Sequence, residues 1–526
     1  MSSGKFKGKT LRLLEKGHKG LVYALFSRFG LVVLLLLIQV AMIVVFYNLF
    51  KEFVPHYYAF SGVFTAVMVL ILINSRMDPS SKVTWLIIIM IMPVFGCLLY
   101  IYTQSDFGHR ALKKRTDMLI ADVRDIIPQD KGVLERLNAE NPEVAALAAY
   151  MRRGGCRPVF DGCDVKYFPS GEDKFQELLK QLRKAEQFIF LEYFIIDEGL
   201  MWGEVLEILA EKAKKGVEVR VMYDGTCEFS LLPRNYPKKL RELGINCKVF
   251  APLTPFLSTH YNYRDHRKIL VIDGRVAFTG GINLADEYIN ERERFGHWKD
   301  TAIMVRGEAV RSFTMLFLQM WNISELKPDF GVYVEQHECD LPEAKGYVLP
   351  YGDCPLRSEK LGERVYLDIL NRATGYVHIM TPYLVLDGVM ENALEFAAER
   401  GVDVKLILPG IPDKKAAYAL AKTHYRRLID SGVKIYEYTP GFVHAKVFVA
   451  DDREAVVGSI NLDYRSLYHH FECAAYMYDT NCIPRIEEDF QQTLDKCRRV
   501  TYETIRKEKL TTKLVGFVMK AIAPLI

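Results

Sequence analysis

The sequence has no Cys-x-x-Cys pair and no zinc-ligand spacing among its ten cysteines. That argues against a zinc site and, at this size and dispersion, against a disulfide framework; reduced thiols in a cytoplasmic environment are expected. Charge of one sign is scarce too: the balance is +4 over 526 residues, too little to indicate a nucleic-acid binder. Glycine (35) and proline (21) stand at ordinary levels, which excludes collagen-like and disordered chains. No carboxylate cluster of the metal-binding kind is visible. What the chain does have is 50% hydrophobic residues, concentrated at its front.

Three apolar runs occupy residues 31–50, 57–73 and 83–102. The first and third have the ~20 residues that cross a ~30 Å hydrocarbon core; the second is marginal. No small-residue cleavage site comes after the first, so it reads as a retained helix rather than a signal peptide. Lys5, Lys7, Lys9, Arg12, Lys16, Lys19 and Arg28 precede these runs, and Arg110, Lys113, Lys114 and Arg115 come after them. Both clusters ask for the cytoplasm. Two cytoplasmic ends require an even number of crossings, so one run is re-entrant or interfacial. The candidates are the short second run and the third, interrupted by Pro93 and Gly96.

From about residue 145 the texture becomes alternating strand and helix, as in an α/β protein, and the two halves repeat one another. Lys215-Gly216-Val217-Glu218-Val219 matches Arg400-Gly401-Val402-Asp403-Val404. His266, Lys268, Asp273, Gly280 and Asn283 recur as His444, Lys446, Asp451, Gly458 and Asn461, each 178 positions on. The order expected is a basic N-terminus (1–28), a membrane region (29–104), a linker (105–144), α/β domains over 145–335 and 336–500, and an amphipathic tail (501–526). In that tail Leu510, Leu514, Phe517, Val518, Ala521, Ile522 and Leu525 recur at helical spacing. An interfacial helix and a helix packed on its own domain both fit.

Apolar residues after each lysine predict a buried strand, and positions i and i+2 of a strand face one side. His266 and Lys268 therefore point together, as do His444 and Lys446. Asp273 and Asp451 fall at turns, with opposite parity, which suits an orienting or structural role. Small residues before Asn283 and Asn461 leave those amides free to bond near the site. Two histidines and two lysines in a two-fold arrangement specify phosphodiester chemistry: one imidazole attacks phosphorus, the other moves the alcohol's proton, and the ammoniums stabilise the oxygens. No metal or other cofactor is required.

The stretches HRKILVID, GGINL, HWKDTAIMVRGEAV, HAKVFVADD and GSINLDYRSLYHHFE resemble the phospholipase D superfamily with its paired HKD motifs, and within it the bacterial cardiolipin synthases. The resemblance covers the chain from about Ser61. It implies two pseudo-two-fold-related phospholipase D-like α/β domains behind an N-terminal transmembrane helical region, in a multi-pass protein of the bacterial cell membrane with its catalytic domains in the cytoplasm. It implies phosphatidyl transfer between two phosphatidylglycerols, giving cardiolipin and glycerol. His266 is then the nucleophile and His444 the acid/base, with the reverse assignment open in a pseudo-symmetric site. Lys268, Asp273, Lys446 and Asp451 complete the catalytic set, with Asn283, Asn461, Asp463, Arg465, Ser466 and Glu472 in support. The rivals are a phospholipase D or phosphatidyltransferase using water, serine or ethanolamine, a nuclease, and a silent lipid-binding scaffold. Near-neutral charge and the apolar front argue against nucleic acid as substrate.

Overall fold

A computed structural model describes residues 54–525, apart from 105–106, 124–125, 154–157, 253–262, 336–340, 342–343 and 358. The basic segment 1–28 and the apolar run 31–50 lie outside the described residues. The chain divides into two compact units, one at the front ending at Asp106 and the other formed chiefly by Phe107–Pro524.

In the front unit, helix Val54–Ile73 covers the second apolar run. The third run, long enough to cross but interrupted by Pro93 and Gly96, is two helices, Pro79–Ile91 and Pro93–Gln104. Pro93 has no N–H to continue the ladder, and Gly96 lies so close to the backbone of Ile88 and Ile89 that a Cβ there would stand 2.9 Å from both. A small core of Met68, Leu72, Trp85, Ile89, Cys97 and Tyr100 is buried, whereas Val63, Leu70, Met90, Ile91 and Leu98 are exposed. Among the described residues no helix is long and apolar enough to cross a membrane.

The second unit holds two sheets. The first has the order β1 (Asp164–Phe168), β9 (Ala302–Arg306), β7 (Val276–Gly280), β6 (Lys268–Ile272), β2 (Phe188–Tyr193), β3 (Glu218–Asp224), β4 (Asn246–Phe250). The second runs β10 (Tyr347–Asp353), β17 (His470–Tyr478), β16 (Glu454–Gly458), β15 (Val447–Ala450), β11 (Tyr376–Met380), β12 (Asp403–Pro409), β13 (Lys434–Tyr438), β18 (Cys497–Arg499). Strand for strand the second sheet repeats the first, with β18 added at its edge. In each, two parallel pairs joined through helices (Leu200–Lys214 and Gly388–Glu399) give the βαβ half, and antiparallel strands give the rest. One apolar core includes Val271 and Ala277 from the first sheet and Val449 and Ala475 from the second, so neither half buries its own strands alone.

Two short strand pairs tie the halves across the repeat. β5 (Arg264–Asp265) pairs in parallel with the start of β17, and β14 (Gly441–Val443) pairs in parallel with β8 (His297–Lys299). Helices Lys131–Glu140 and Pro142–Arg153, within and just past the expected linker, bury Val133, Leu137, Leu147 and Met151 in the core of the second sheet. In the tail, helix Leu510–Ile522 sets Gly516 against the backbone of Ala419, while Leu510, Leu514, Phe517 and Val518 remain exposed. The eight described cysteines are all free.

Candidate active site

The cross-repeat strands determine where the motif histidines sit. β5 ends one residue before His266, whose N–H donates to Phe471 O at 2.9 Å. β14 ends one residue before His444, whose N–H donates to Lys299 O at 2.7 Å. Each histidine thus comes directly after a strand laid beside the opposite half, and the residue after its backbone acceptor is acidic. Glu472 accepts from His266 Nδ1 at 2.9 and 3.0 Å. Asp300 stands 2.7 Å from His444 Nδ1. Each half supplies the carboxylate for the other half's imidazole, and with Nδ1 engaged the reacting nitrogen is Nε2 in both.

The lysines obey the i, i+2 expectation, although β6 begins only at Lys268 and β15 only at Val447. Lys268 Nζ donates to His266 O and Lys446 Nζ to His444 O. All four side chains are buried, and burial sets their ionisation. It pushes both imidazoles well below 6.5, helped at His444 by Lys446 and Lys268. It lowers Lys268 to about 8 and Lys446 to about 7, against the pull of Glu472 and Asp300. Burial raises Asp300 to about 6, opposed by Lys446. Two cations poised to lose their protons in a dry pocket regain them when an anion enters.

Not every expected residue joins this group. Asp273 and Asp451 lie at the far ends of β6 and β15. Asp273 accepts backbone N–H bonds from Glu186, Gln187 and Phe188 at 2.7–2.8 Å, and Asp451 from Thr374, Gly375 and Tyr376 at 2.7–2.9 Å. They pin hairpins to neighbouring strands, which corrects their place in the catalytic set. Asn283 accepts from Ile195 N and donates to Tyr288 OH, whose ring stands edge-on to His444 at 5.4 Å. Asn461 is buried, its Oδ1 without a hydrogen bond. Asp463 caps the π-turn Arg465–His469 through Ser466 N at 2.8 Å; Ser466 is buried there and Arg465 is exposed.

Sequence reasoning missed Asp300. It lies inside the stretch HWKD, but it precedes Glu472 by 172 positions rather than 178, because the loop after the first motif is six residues longer. Aligning Trp298-Lys299-Asp300 with His470-Phe471-Glu472 is the signal that finds it. Among the described residues, His266, His470 and Glu472 form the one group able to offer a metal three ligands, with those atoms within 4.8 Å of one another.

Two pseudo-symmetric α/β halves with crossed histidine–carboxylate pairs define an enzyme of the phospholipase D superfamily. Residues 178–321 and 366–494 match the family described as cardiolipin synthase, PLD-like domain, and residues 63–102 match a phospholipase D-nuclease N-terminal segment. The chain belongs to the cardiolipin synthase family. It is 33% identical to a cardiolipin synthase of Geobacillus kaustophilus over 85% of this chain and 89% of that one. It is 30% identical to one of Alkalihalophilus pseudofirmus over 89% and 93%. An uncharacterized protein of Streptococcus mutans is 58% identical over 87% of this chain and 99% of its own. The crystal structure of a phosphatidylserine synthase from Haemophilus influenzae shares the fold, with a TM-score of 0.53 at 16% identity over 69% of this chain and 93% of that one.

Proposed function

We propose that the enzyme transfers a phosphatidyl group from one phosphatidylglycerol to the free glycerol hydroxyl of another, releasing glycerol and forming cardiolipin. The carrying observation is the crossed pairing of His266 with Glu472 and His444 with Asp300, beside two buried lysines. Relatives named cardiolipin synthase supply the substrate class. His266 Nε2 attacks phosphorus while the bond to the glycerol oxygen breaks; His444, which binding of the phosphodiester anion protonates at Nε2, gives that oxygen its proton. His444 then takes the proton of the second phosphatidylglycerol's hydroxyl as that oxygen attacks and the P–N bond breaks. Lys268 and Lys446 hold the unesterified oxygens throughout. One phosphodiester is exchanged for another, so no nucleotide is consumed.

His266 is favoured as nucleophile because Glu472 accepts from it with both oxygens and also receives Ser459 Oγ–H. Despite its burial, Glu472 is held below the usual carboxylate range by its histidine neighbours, so it stays ionised and stabilises the phosphorylated imidazole. The same reading puts the protein in a bacterial membrane, with the catalytic halves on the cytoplasmic side. Apolar residues exposed on the front helices and on the tail support contact with a membrane.

Detergent-purified protein incubated with phosphatidylglycerol alone should yield cardiolipin and glycerol in equal amounts, and His266→Ala and His444→Ala should each abolish both. Phosphatidic acid as the product would make water the acceptor. Cardiolipin persisting in either variant would sink the paired-histidine mechanism.

A further inference from the structure

The pseudo-two-fold relation that pairs Glu472 with Asp300 also pairs the residues two places before them, His470 and Trp298. Each begins a cross-repeat strand or sits within one: His470 opens β17 opposite Arg264, and Trp298 is the middle residue of β8 opposite Phe442. Each lies against the motif histidine of the other half. The rings of His470 and His266 are 5.3 Å apart, and those of Trp298 and His444 are 5.4 Å apart. His470 is 8% exposed and Trp298 6%. Yet Trp298 Nε1 and both ring nitrogens of His470 make no hydrogen bond. Nearest to satisfying one is His470 Nδ1, 3.6 Å from Glu472 Oε1.

A buried indole or imidazole N–H normally finds an acceptor, because leaving it bare forfeits the hydrogen bond it had in water. Two such groups at symmetry-equivalent positions, each beside a reacting imidazole, are not explained by core packing. The mechanism above uses neither. Glu472 and Asp300 bond the motif histidines, and Glu472 comes no nearer to His470 than 3.6 Å, at Nδ1, which leaves Trp298 Nε1 and His470 Nε2 open to an acceptor brought by a ligand. The ligand chemistry at this place, on the reading of the site as a phosphodiester exchanger, is an anionic phosphoryl oxygen.

We propose that Trp298 and His470 are phosphoryl-binding residues, each donating an N–H to an unesterified phosphate oxygen, Trp298 from the His444 side and His470 from the His266 side. They complete a ring of four donors with Lys268 and Lys446. The two positions differ in kind. Indole can only donate, so Trp298 contributes a fixed neutral contact, whereas the imidazole of His470 lies beside His266, the nitrogen of which would carry the phosphoryl group.

Inorganic phosphate is the probe, its affinity read by thermal shift on the full-length protein in detergent without lipid, alongside kcat/KM for phosphatidylglycerol. His470→Phe keeps the ring and removes the donor; phosphate affinity should fall about tenfold or more and kcat/KM about 10- to 100-fold. His470→Asn restores an N–H at that place and should recover most of the phosphate affinity. Trp298→Phe should weaken phosphate by a similar factor. Unchanged phosphate affinity in His470→Phe overturns the proposal even if turnover is lost, because the ring would then only orient His266. Should that variant fail to fold, Trp298→Phe decides: wild-type phosphate affinity there overturns it. A wild type that makes no cardiolipin would defeat the acceptor assignment and leave the phosphate comparison intact.

Discussion

At the scale of single residues the site is a set of charges kept out of water, and burial dictates its pH dependence. In the free enzyme Lys446 and Lys268 lose their protons near 7 and 8 because burial disfavours the ammonium. Phosphate binding needs them charged, so kcat/KM should fall as pH rises from about 7 to 9. The limb should approach a hundredfold drop per pH unit where both have titrated. A bound phosphodiester anion stabilises the ammoniums, so the same limb in kcat should lie at higher pH; coincident limbs would contradict the assignment. On the acid side Asp300, near 6 by burial, must be ionised to hold Nδ1–H of His444. Asp300→Asn should cost about 10²- to 10⁴-fold in kcat with the fold intact, read by steady-state turnover beside circular dichroism. The histidines, lysines and asparagines of this site were legible because they recur at one spacing. Asp300 was not, because hydrogen bonding, not sequence proximity, joins it to a histidine 144 positions away, and a loop-length difference hid its repeat.

The repeated strands and turns show where duplication tolerates difference. Gly281 and Ser459 are equivalent, yet a Cβ at 281 would fall on Asp300 Oδ1 and stand 2.9 Å from His444 O. The second half has room for Ser459 because Glu472 is one methylene longer and places its carboxylate farther from its own backbone; there the hydroxyl becomes a donor to Glu472. Gly281→Ser should therefore displace Asp300 and lower kcat at least 100-fold, whereas Ser459→Gly, which removes one donor, should cost about tenfold or less. Equal effects would mean the halves are interchangeable. The hairpin aspartates belong to this scale as well. Asp273 has φ +52°, in the left-handed region, and bonds three backbone N–H groups. Asp273→Ala should lower stability by about 2–3 kcal/mol in denaturant melts and leave kcat per folded molecule unchanged. Their seven-residue distance from the histidine, with turn residues next in line, already favoured that role. The break at Pro93 was marked in the sequence by the proline itself, whereas the folding back of Gly96 onto Ile88 depends on a close approach that only three-dimensional packing displays.

For the whole molecule, the question is how a buried polar site meets a lipid. The tail helix offers a test because its two faces do different things. One face packs through Gly516, where any side chain would strike Ala419 O and Thr423. The other leaves Leu510 81%, Leu514 63%, Phe517 76% and Val518 54% exposed, which a soluble helix would not sustain without a partner. Lys513 and Lys520 lie off that stripe, as in helices that rest on anionic interfaces. Insertion of three such side chains is worth about 1.5–3 kcal/mol each when complete, so even partial burial concentrates the catalytic halves at the surface where phosphatidylglycerol resides. Replacing Leu510, Leu514 and Phe517 together by Ser should reduce turnover of phosphatidylglycerol in vesicles at least tenfold. Turnover in mixed detergent micelles, where substrate reaches the site without a bilayer, should hold within about twofold. Equal losses in both would mean that the stripe supports the fold of the second half, against which Gly516 packs. No loss in either would leave membrane contact to the front helices alone.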